Sequence, residues 1–352
     1  MSLPAGVAHQ VDTVPPNGAA VTADAGQRVR RPVRRLVVSY AIAVFVLVTV
    51  NFFLPRAMPG DPLSILENVG SPTYVRDDAT RVALSRYYGL DRSLPQQYLH
   101  YLGGLVRGDL GVSIRSRVPV TQRIGESLPW TLLLVTSALG LATVVGWAAG
   151  VHSGWRRGRR IDRGLLGLFI AVRNFPVFFV ASLALFVFAV KLRWFPLTGA
   201  TTPFSSLGSL ARLLDVVHHL VLPASVLALQ FSAVSDLVMR GSMVGELGSD
   251  YLVLGRAKGL SDRSLKYRYA ARNALLPVVT LTGAQVGLAV SASVLVETVF
   301  AYPGMGRLMF QSVTFHDYPT LQGAFLLLTL LVLGTSFAVE CLYRWLDPRT
   351  EA

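Results

Sequence analysis

The sequence predicts an all-α protein that crosses a membrane six times, and three observations carry that prediction. First, 52% of the 352 residues are hydrophobic and only 15% are charged, against roughly 45–50% and about 25% in an ordinary soluble domain. Second, the apolar residues are gathered in blocks about as long as a bilayer is thick, and mean hydropathy is +0.49. Third, Lys and Arg outnumber Asp and Glu by 33 to 20 and cluster in alternate connections between the blocks, as the positive-inside bias requires. The blocks exclude a cytosolic enzyme. The single cysteine, Cys341, excludes a disulfide-stapled secreted domain.

Each crossing needs about 20 helical residues, because the hydrocarbon core is roughly 30 Å thick and a helix rises about 1.5 Å per residue. The qualifying stretches are Leu36 to Leu54, Thr131 to Val151, Leu165 to Val190, Val216 to Met239, Ala274 to Val299 and Leu321 to Cys341. Arg173 interrupts the third, and Asp236 sits near the end of the fourth. Residues 1–30, rich in Ala, Gly, Val, Thr and Pro, are expected to form a disordered cytoplasmic tail. They do not read as a signal peptide, because the apolar run starts late, is too long and lacks an A-x-A site after it. Residues 31–352 then make one transmembrane domain. Within it, residues 55–130 are expected to be a small helical insertion on the extracytoplasmic side. Its helices run over Asp78 to Tyr88 and Leu94 to Val106, broken at Gly89-Leu90-Asp91 and Gly108-Asp109-Leu110-Gly111.

Placing the N-terminus in the cytoplasm sorts the basic residues consistently. Arg28, Arg30, Arg31, Arg34 and Arg35 precede the first span, and Arg156, Arg157, Arg159, Arg160 and Arg163 join the second to the third. Arg240, Arg256, Lys258, Arg263, Lys266, Arg268 and Arg272 join the fourth to the fifth, and Arg344 and Arg349 follow the sixth. These are more than half of the total. The short loops of the other face hold only Lys191, Arg193, Arg212 and Arg307. Topology therefore accounts for the basicity, and no nucleic-acid partner is expected.

Signatures of catalysis are missing. No G-x-x-x-x-G-K-[ST] loop cradles a phosphate, so the chain hydrolyses no ATP by that route. The histidines are scattered, and adjacent His218 and His219 point about 100° apart on a helix, which makes no metal-ligand spacing. No G-x-S-x-G elbow is present. The expectation is a chain without catalytic, metal or cofactor residues of its own.

The most informative segment is the connection over residues 240–274. It contains Arg240-Gly-Ser-Met243, then Asp250-Tyr-Leu-Val-Leu-Gly-Arg-Ala-Lys-Gly-Leu-Ser261, then Ala271-Arg-Asn-Ala-Leu-Leu-Pro277 at its end. Ser249 or Asp250 can cap a short helix that ends at Gly259, and Ser261 can cap a second running toward Pro277. Two short helices joined at a glycine make a compact knob. Leu252, Leu254, Ala257 and Leu260 give it an apolar side, and Arg256, Lys258, Arg263 and Lys266 a cationic rim. An amphipathic knob of this kind either lies on lipid or fits a partner's groove.

These residues resemble the integral-membrane permease subunits, of the B type, of ABC importers for oligopeptides, dipeptides and nickel. The likeness is to that family's version of the EAA loop, Arg256-Ala-Lys-Gly-Leu-Ser261 followed by Arg272-Asn-Ala-Leu-Leu-Pro277, with Val253-Leu-Gly255 in place of Glu-Ala-Ala. It continues, in order, through Pro59-Gly-Asp-Pro62, Tyr88-Gly-Leu-Asp91, Gln97-Tyr98, Gly108-Asp-Leu-Gly111 and Leu128-Pro-Trp-Thr131. Later come Trp194-Phe-Pro196 with Gly199, Leu222-Pro-Ala224, Glu297-Thr-Val-Phe300, Tyr302-Pro-Gly-Met-Gly306, Asp317-Tyr-Pro319 and Asp347-Pro-Arg349. The resemblance covers nearly everything after residue 36.

It implies the type I ABC importer permease fold in the inner membrane of a prokaryote, with both termini cytoplasmic. It also implies a second, homologous permease, cytoplasmic ATPase subunits that bind the ATP and Mg, and a solute-binding protein that delivers cargo outside. In that family the loop is the coupling helix that docks on the ATPase, which assigns this role to Asp250, Arg256, Ala257, Lys258, Gly259, Leu260, Ser261, Asn273 and Pro277. Gly259 matches the family's invariant glycine. The implied cargo is peptides, with nickel or oligosaccharides as alternatives. An ion-coupled secondary transporter would want more intramembrane carboxylates than Asp236 and Glu297.

Candidate pathway or gate residues are Arg173, Asn174, Asp236, Glu297, Pro303, Gly304 and Gly306. An arginine inside a span costs roughly 2.5–3.5 kcal/mol on insertion scales. Arg173 therefore reads either as a cavity group attracting an anionic end, such as a peptide carboxylate, or as half of an ion pair with Asp236. Glu297 to Gly306 reads either as an outer gate or re-entrant element, or as a tight turn.

Overall fold

The computed structural model describes residues 33–57, 78–87, 89, 91–204 and 208–346, and among them there is no β-strand. The tail over residues 1–30 and the Pro59–Pro62 and Asp347–Arg349 motifs lie outside the described residues.

Helix α1 spans Val33–Arg56. The following segment holds α2 (Asp78–Tyr87) and α3 (Leu94–Arg107), close to the predicted pair. Pro95 sits in the first turn of α3, where its missing N–H is harmless. Gly108, at φ 73°, ends the helix by closing its amide on the Gly104 and Leu105 carbonyls. Asp317 fastens the next loop: it accepts from the Ser113 hydroxyl at 2.6 Å and the Ile114 amide at 3.0 Å. The Asp317-Tyr-Pro319 motif thus meets the loop that follows Gly108-Asp-Leu-Gly111.

Helix α4 (Val120–Trp155) is followed by α5 (Arg160–Asn174) and α6 (Val177–Ala184), which continues as a π-helix over Leu185–Lys191. The third predicted span is thus two helices bent by 101°. Pro176 causes the break. It has no N–H to offer and holds Phe175 in an extended conformation, φ −84° and ψ 136°. The carbonyls freed at the bend are met by the Gln230 side chain, which donates to Phe175 O at 3.1 Å.

The remaining long helices are α7 (Ser209–Glu246) and, beyond the knob helices α8 (Asp250–Ala257), α9 (Asp262–Ser264) and α10 (Ala271–Asn273), helix α11 (Leu276–Val299). Helices α12 (Met305–Thr314) and α13 (Tyr318–Leu346) complete the chain. Five helices are long and apolar enough to cross a membrane singly, and the bent pair supplies a sixth crossing.

The closest seam joins α4 to α7. Gly146, Gly150 and Gly154 lie one turn apart on α4. A Cβ on them would stand 2.4 Å from the Ser235 Cβ, 2.5 Å from the Met239 Cβ and 2.6 Å from the Met243 Cβ. Only hydrogen fits between the two backbones. Both sets of residue numbers rise together, so α4 and α7 run parallel and the bent pair between them must carry the chain back across. Helix α11 runs antiparallel to α4, with Thr282 beside Thr143 at 3.0 Å and Glu297 beside Thr131 at 2.7 Å. Helix α13 runs antiparallel to α11, with Val339 against Gly283 and Val332 against Gly287. Helix α1 runs antiparallel to α13, with Tyr40 on Phe337 and the Asn51 amide on Gln322 O. The directions alternate throughout. The protein is a multi-pass membrane protein, and the start of α1, the end of α13 and the arginine-rich connections share one end.

The glycine seam sets a test. Gly150→Val forces a branched side chain into the Met239 and Asp236 contacts and is expected to cost about 1–3 kcal/mol or more. Gly140→Ala meets nothing within 4 Å and is expected to leave the unfolding temperature unchanged or higher. Thermal unfolding of both variants in detergent reads the difference.

Candidate functional site

At the arginine-rich end the knob forms as two short helical segments joined at Gly259. Ser249 occupies the N-cap of α8 in an extended conformation, and Asp250 in the first turn complements the helix dipole. The Ser249 hydroxyl makes no cap bond to α8, contrary to the expected side-chain cap, and donates back to Glu246 O at 2.7 Å. The helix ends in a Schellman motif around Gly259, whose φ is 76°. The Gly259 amide donates to Arg256 O at 3.0 Å and the Leu260 amide to Gly255 O at 3.1 Å. Ser261 then caps the next helix, its hydroxyl accepting from the Ser264 amide at 3.3 Å. From there α9, a π-helical turn over Leu265–Ala270 and α10 make one helical path to Asn273, and Pro277 falls in the first turn of α11.

The predicted apolar side of the knob divides in two. Leu252 is fully buried, whereas Leu254 is 56% and Leu260 37% exposed, with exposed Ala257 and 58% exposed Val253 beside them. Positions 252 and 254 lie about 200° apart on a helix, so they cannot share a face. Leu252 packs with Leu265, Ala270 and Ala271 onto Val151, Met239 and Met243 at the ends of α4 and α7. Gly255 makes the closest approach: a Cβ there would stand 2.6 Å from Leu265 Cδ2. This explains glycine where the EAA pattern has alanine. Arg256, Lys258, Asn273 and Pro277 are exposed. Burial, then Glu246, raises the pKa of the Tyr251 hydroxyl, which donates to the Glu246 carboxylate and ties α8 back to the end of α7.

Asp162 holds this end together. Its carboxylate accepts from Arg240 Nε at 2.7 Å and Nη2 at 3.0 Å, and from the Gly158 amide at 2.8 Å. A bidentate fork thus locks α5 to α7. The same antiparallel register sets Val172 and Phe175 level with Gln230, so Asp236 stands opposite the middle of α5 rather than its end. Arg173 and Asp236 form no ion pair. Arg173 and Asn174 are exposed in the last turn of α5, where a cation favours the helix dipole. Asp236 is fully buried, and neither carboxylate oxygen has a hydrogen-bond partner among the described residues.

At the opposite end Glu297 organises the turn into α12. It is fully buried, accepts from the Thr131 hydroxyl at 2.7 Å and from the Gly306 amide at 2.7 Å, and lies 3.3 Å from the Arg307 amide. Thr131 accepts in turn from the Met305 amide at 2.7 Å. A carboxylate and a hydroxyl therefore meet the first free N–H groups of α12. Gly304 is required by that carboxylate, since a Cβ would fall 2.4 Å from Glu297 Cδ. Tyr302 is buried beneath Trp130, ring centroids 5.9 Å apart. Pro303 lies half-buried between Tyr302 and Gly304, and Gly306 packs on the Val294 backbone.

Residues 142–352 match the family of binding-protein-dependent transport system inner membrane components. The chain belongs to this family. It is 38% identical over 299 residues to a putative peptide permease protein of Brucella suis, an alignment that covers 85% of this chain and 92% of that one. It is 35% identical over 319 residues to the di/tripeptide transport system permease protein of Pseudomonas aeruginosa, covering 87% and 94%. It is 34% identical over 306 residues to the glutathione transport system permease protein of Escherichia coli, covering 87% and 94%.

Several residues that build the permease are not evident from the sequence. Asp162 had a signal, as the one carboxylate among five arginines between the second and third spans. The glycines of α4 carried another in their spacing of four, although nothing in the sequence names the helix they face. Gln230 and Thr131 matter only through partners far along the chain.

The turn at Glu297 is testable. Glu297→Gln is expected to lose about 1–3 kcal/mol of stability, the cost of leaving a buried donor poorly met. Gly304→Ala is expected to destabilise in the parent and to do so less in a Glu297→Ala background, where the clashing carboxylate is gone. Equal effects of Gly304→Ala in both backgrounds, read by unfolding in detergent, would show that the carboxylate does not dictate the glycine.

Proposed function

We propose that this chain is half of the translocation pathway of an ATP-driven importer of peptides, coupled to its ATPase through the knob around Gly259. The observation that carries this reading is the knob itself. It is a glycine-hinged pair of helical segments, closed by the Schellman motif at Gly259 and the Ser261 cap and rooted by Leu252 and Leu265 in the core between α4 and α7, with Val253, Leu254, Ala257 and Leu260 left facing outward. A rigid lever with a free apolar face transmits a push from a docked partner into the spans. Relatives named for peptide, di/tripeptide and glutathione transport support peptides as the cargo class. The arginine-rich end is cytoplasmic by the positive-inside bias, which puts both termini and the knob with the ATPases, and α2, α3 and the Glu297 turn with the solute-binding protein. A second, homologous permease completes the pathway. ATP and Mg belong to the ATPase subunits, and this chain supplies the lever and the channel wall.

In this reading Arg173 and Asn174, exposed at the bend of the third crossing, face the second permease or the pathway and attract the carboxylate end of a peptide. The Glu297 turn is the rigid frame of the outer gate.

Uptake of labelled dipeptide by cells carrying chain variants, with ATPase co-purification in mild detergent, tests the coupling role. A side chain at φ 76° costs roughly 1–2 kcal/mol unless it is Asn or Asp. Gly259→Val and Arg256→Glu are expected to insert normally, lose the ATPase and reduce uptake to background, with Gly259→Asn intermediate. Uptake at the parent rate with the ATPase retained in both variants would remove the knob from coupling. Arg173→Ala is expected to lower uptake of peptides with a free C-terminal carboxylate and leave assembly intact. Unchanged uptake would remove Arg173 from the pathway.

A further inference from the structure

A cavity of about 430 Å³ opens between the end of α4 and the knob. Arg156, Arg159, Arg256, Arg263 and Lys266 line it, and Asp262 is the one carboxylate on its wall. The other acidic groups nearby are engaged: Asp162 holds Arg240, and Glu246 accepts from Tyr251. Lys266 lies at the bottom of this excess. It is 7% exposed, and its amine meets no carboxylate and no hydrogen-bond acceptor among the described residues. Its recorded neighbours are the Tyr267 ring, 4.8 Å from Nζ, and the Arg156 guanidinium, which adds to burial in lowering the pKa of the amine. Burying an ammonium beside like charges is unfavourable unless something else supplies the counter-charge.

We propose that this cavity binds a phosphate group, carried by an anionic phospholipid headgroup or free in solution. Five cations against one carboxylate ask for more than a single negative charge, and a phosphate brings up to two with several acceptor oxygens. Guanidinium forks match that geometry and a central ammonium adds a point charge. The depth of Lys266 suits a small tetrahedral group better than a side chain on a docking protein. The ends of the spans place the cavity at the level of headgroup phosphates, where basic pockets between helices collect anionic lipids. The outward face of the knob, at Val253, Leu254, Ala257 and Leu260, is no part of the lining.

The test uses the full chain, delipidated in neutral detergent, and follows its unfolding temperature at constant ionic strength. Inorganic phosphate is compared with chloride and acetate, and nanodiscs of phosphatidylglycerol with those of phosphatidylcholine. The expected result is a rise with phosphate, with phosphatidylglycerol, or with both. A response to phosphatidylglycerol alone assigns the group to lipid, and a response to inorganic phosphate alone assigns it to a soluble anion. Lys266→Gln combined with Arg159→Gln is expected to weaken the response about tenfold or more, since each removes a charge-assisted contact. Arg159→Gln alone, at an exposed position, is expected to weaken it less and keeps the test available if the double variant does not fold. No rise with either phosphate source, an equal rise in the variants, or an acetate effect matching phosphate would overturn the proposal. The measurement needs neither cargo nor ATPase, so its failure leaves the transport reading untouched.

Discussion

The permease depends on one contact, the near-touching backbones of α4 and α7. Inside a bilayer no hydrophobic effect pulls one apolar helix toward another, because lipid is as apolar as Leu, and association rests on packing and hydrogen bonds. Gly146, Gly150 and Gly154 let Ser235, Met239 and Met243 sit where side chains would otherwise stand. Three successive turns in register fix the tilt and the slide of the pair together. The rest of the bundle then docks on a rigid two-helix spine. Helix α11 and, beyond it, α13 and α1 lie on one side, and the bent pair is clamped to α7 by Asp162, Arg240 and Gln230.

Each end of that spine carries a device. Met239 and Met243, the residues that fill the glycine seam, also receive Leu252 and Leu265 from the knob. A displacement of the knob is therefore delivered to the seam through direct packing contacts, since packed interiors transmit strain. At the far end Thr131 on α4 holds Glu297 and the start of α12. Two helices link the ends: α4, a helix of 36 residues, and α11, which packs Val278 in the knob cluster and carries Glu297 near its other end. Under the proposed role these two helices are the rods by which an event at the knob reaches the outer turn.

Much of this was legible in the sequence, for reasons that differ by element. The spans show because an unbroken run of about twenty apolar residues matches the thickness of a bilayer and exceeds what a soluble core helix needs. The knob shows because Gly259 and Ser261 each have one local job, and caps are local chemistry; Ser249 starts α8 as expected but turns its hydroxyl back to Glu246 instead of capping it. The third span shows as one apolar stretch over Leu165 to Val190, but hydropathy carries no angle and so does not reveal the 101° bend at Pro176. Arg173 reads as an interruption of one span, and the fold shows that it ends the first of two helices. Glu297 reads as a pathway or gate candidate because an intramembrane carboxylate is functional by default; its hold on the α12 amides depends on a turn whose geometry no spacing reveals. Lys266 reads as one cation on a rim, and only the fold shows it sunk in a cavity with four others.

The bend at Pro176 also bears on the order in which the protein is assembled. Each arm of the bent pair has 15 residues and so reaches about 22 Å, short of the roughly 30 Å hydrocarbon core. The first arm carries Arg160, Asp162, Arg163 and Arg173, and its exposed carbonyls at Phe175 are met by a side chain that belongs to the next helix. Without α7 the Phe175 carbonyl at the bend would lack its side-chain partner at membrane depth. The bent pair becomes a stable crossing when α7 arrives with Gln230 and Arg240. The third crossing thus depends on the fourth for its stability, and a cell that inserts the one gains a settled structure only with the other.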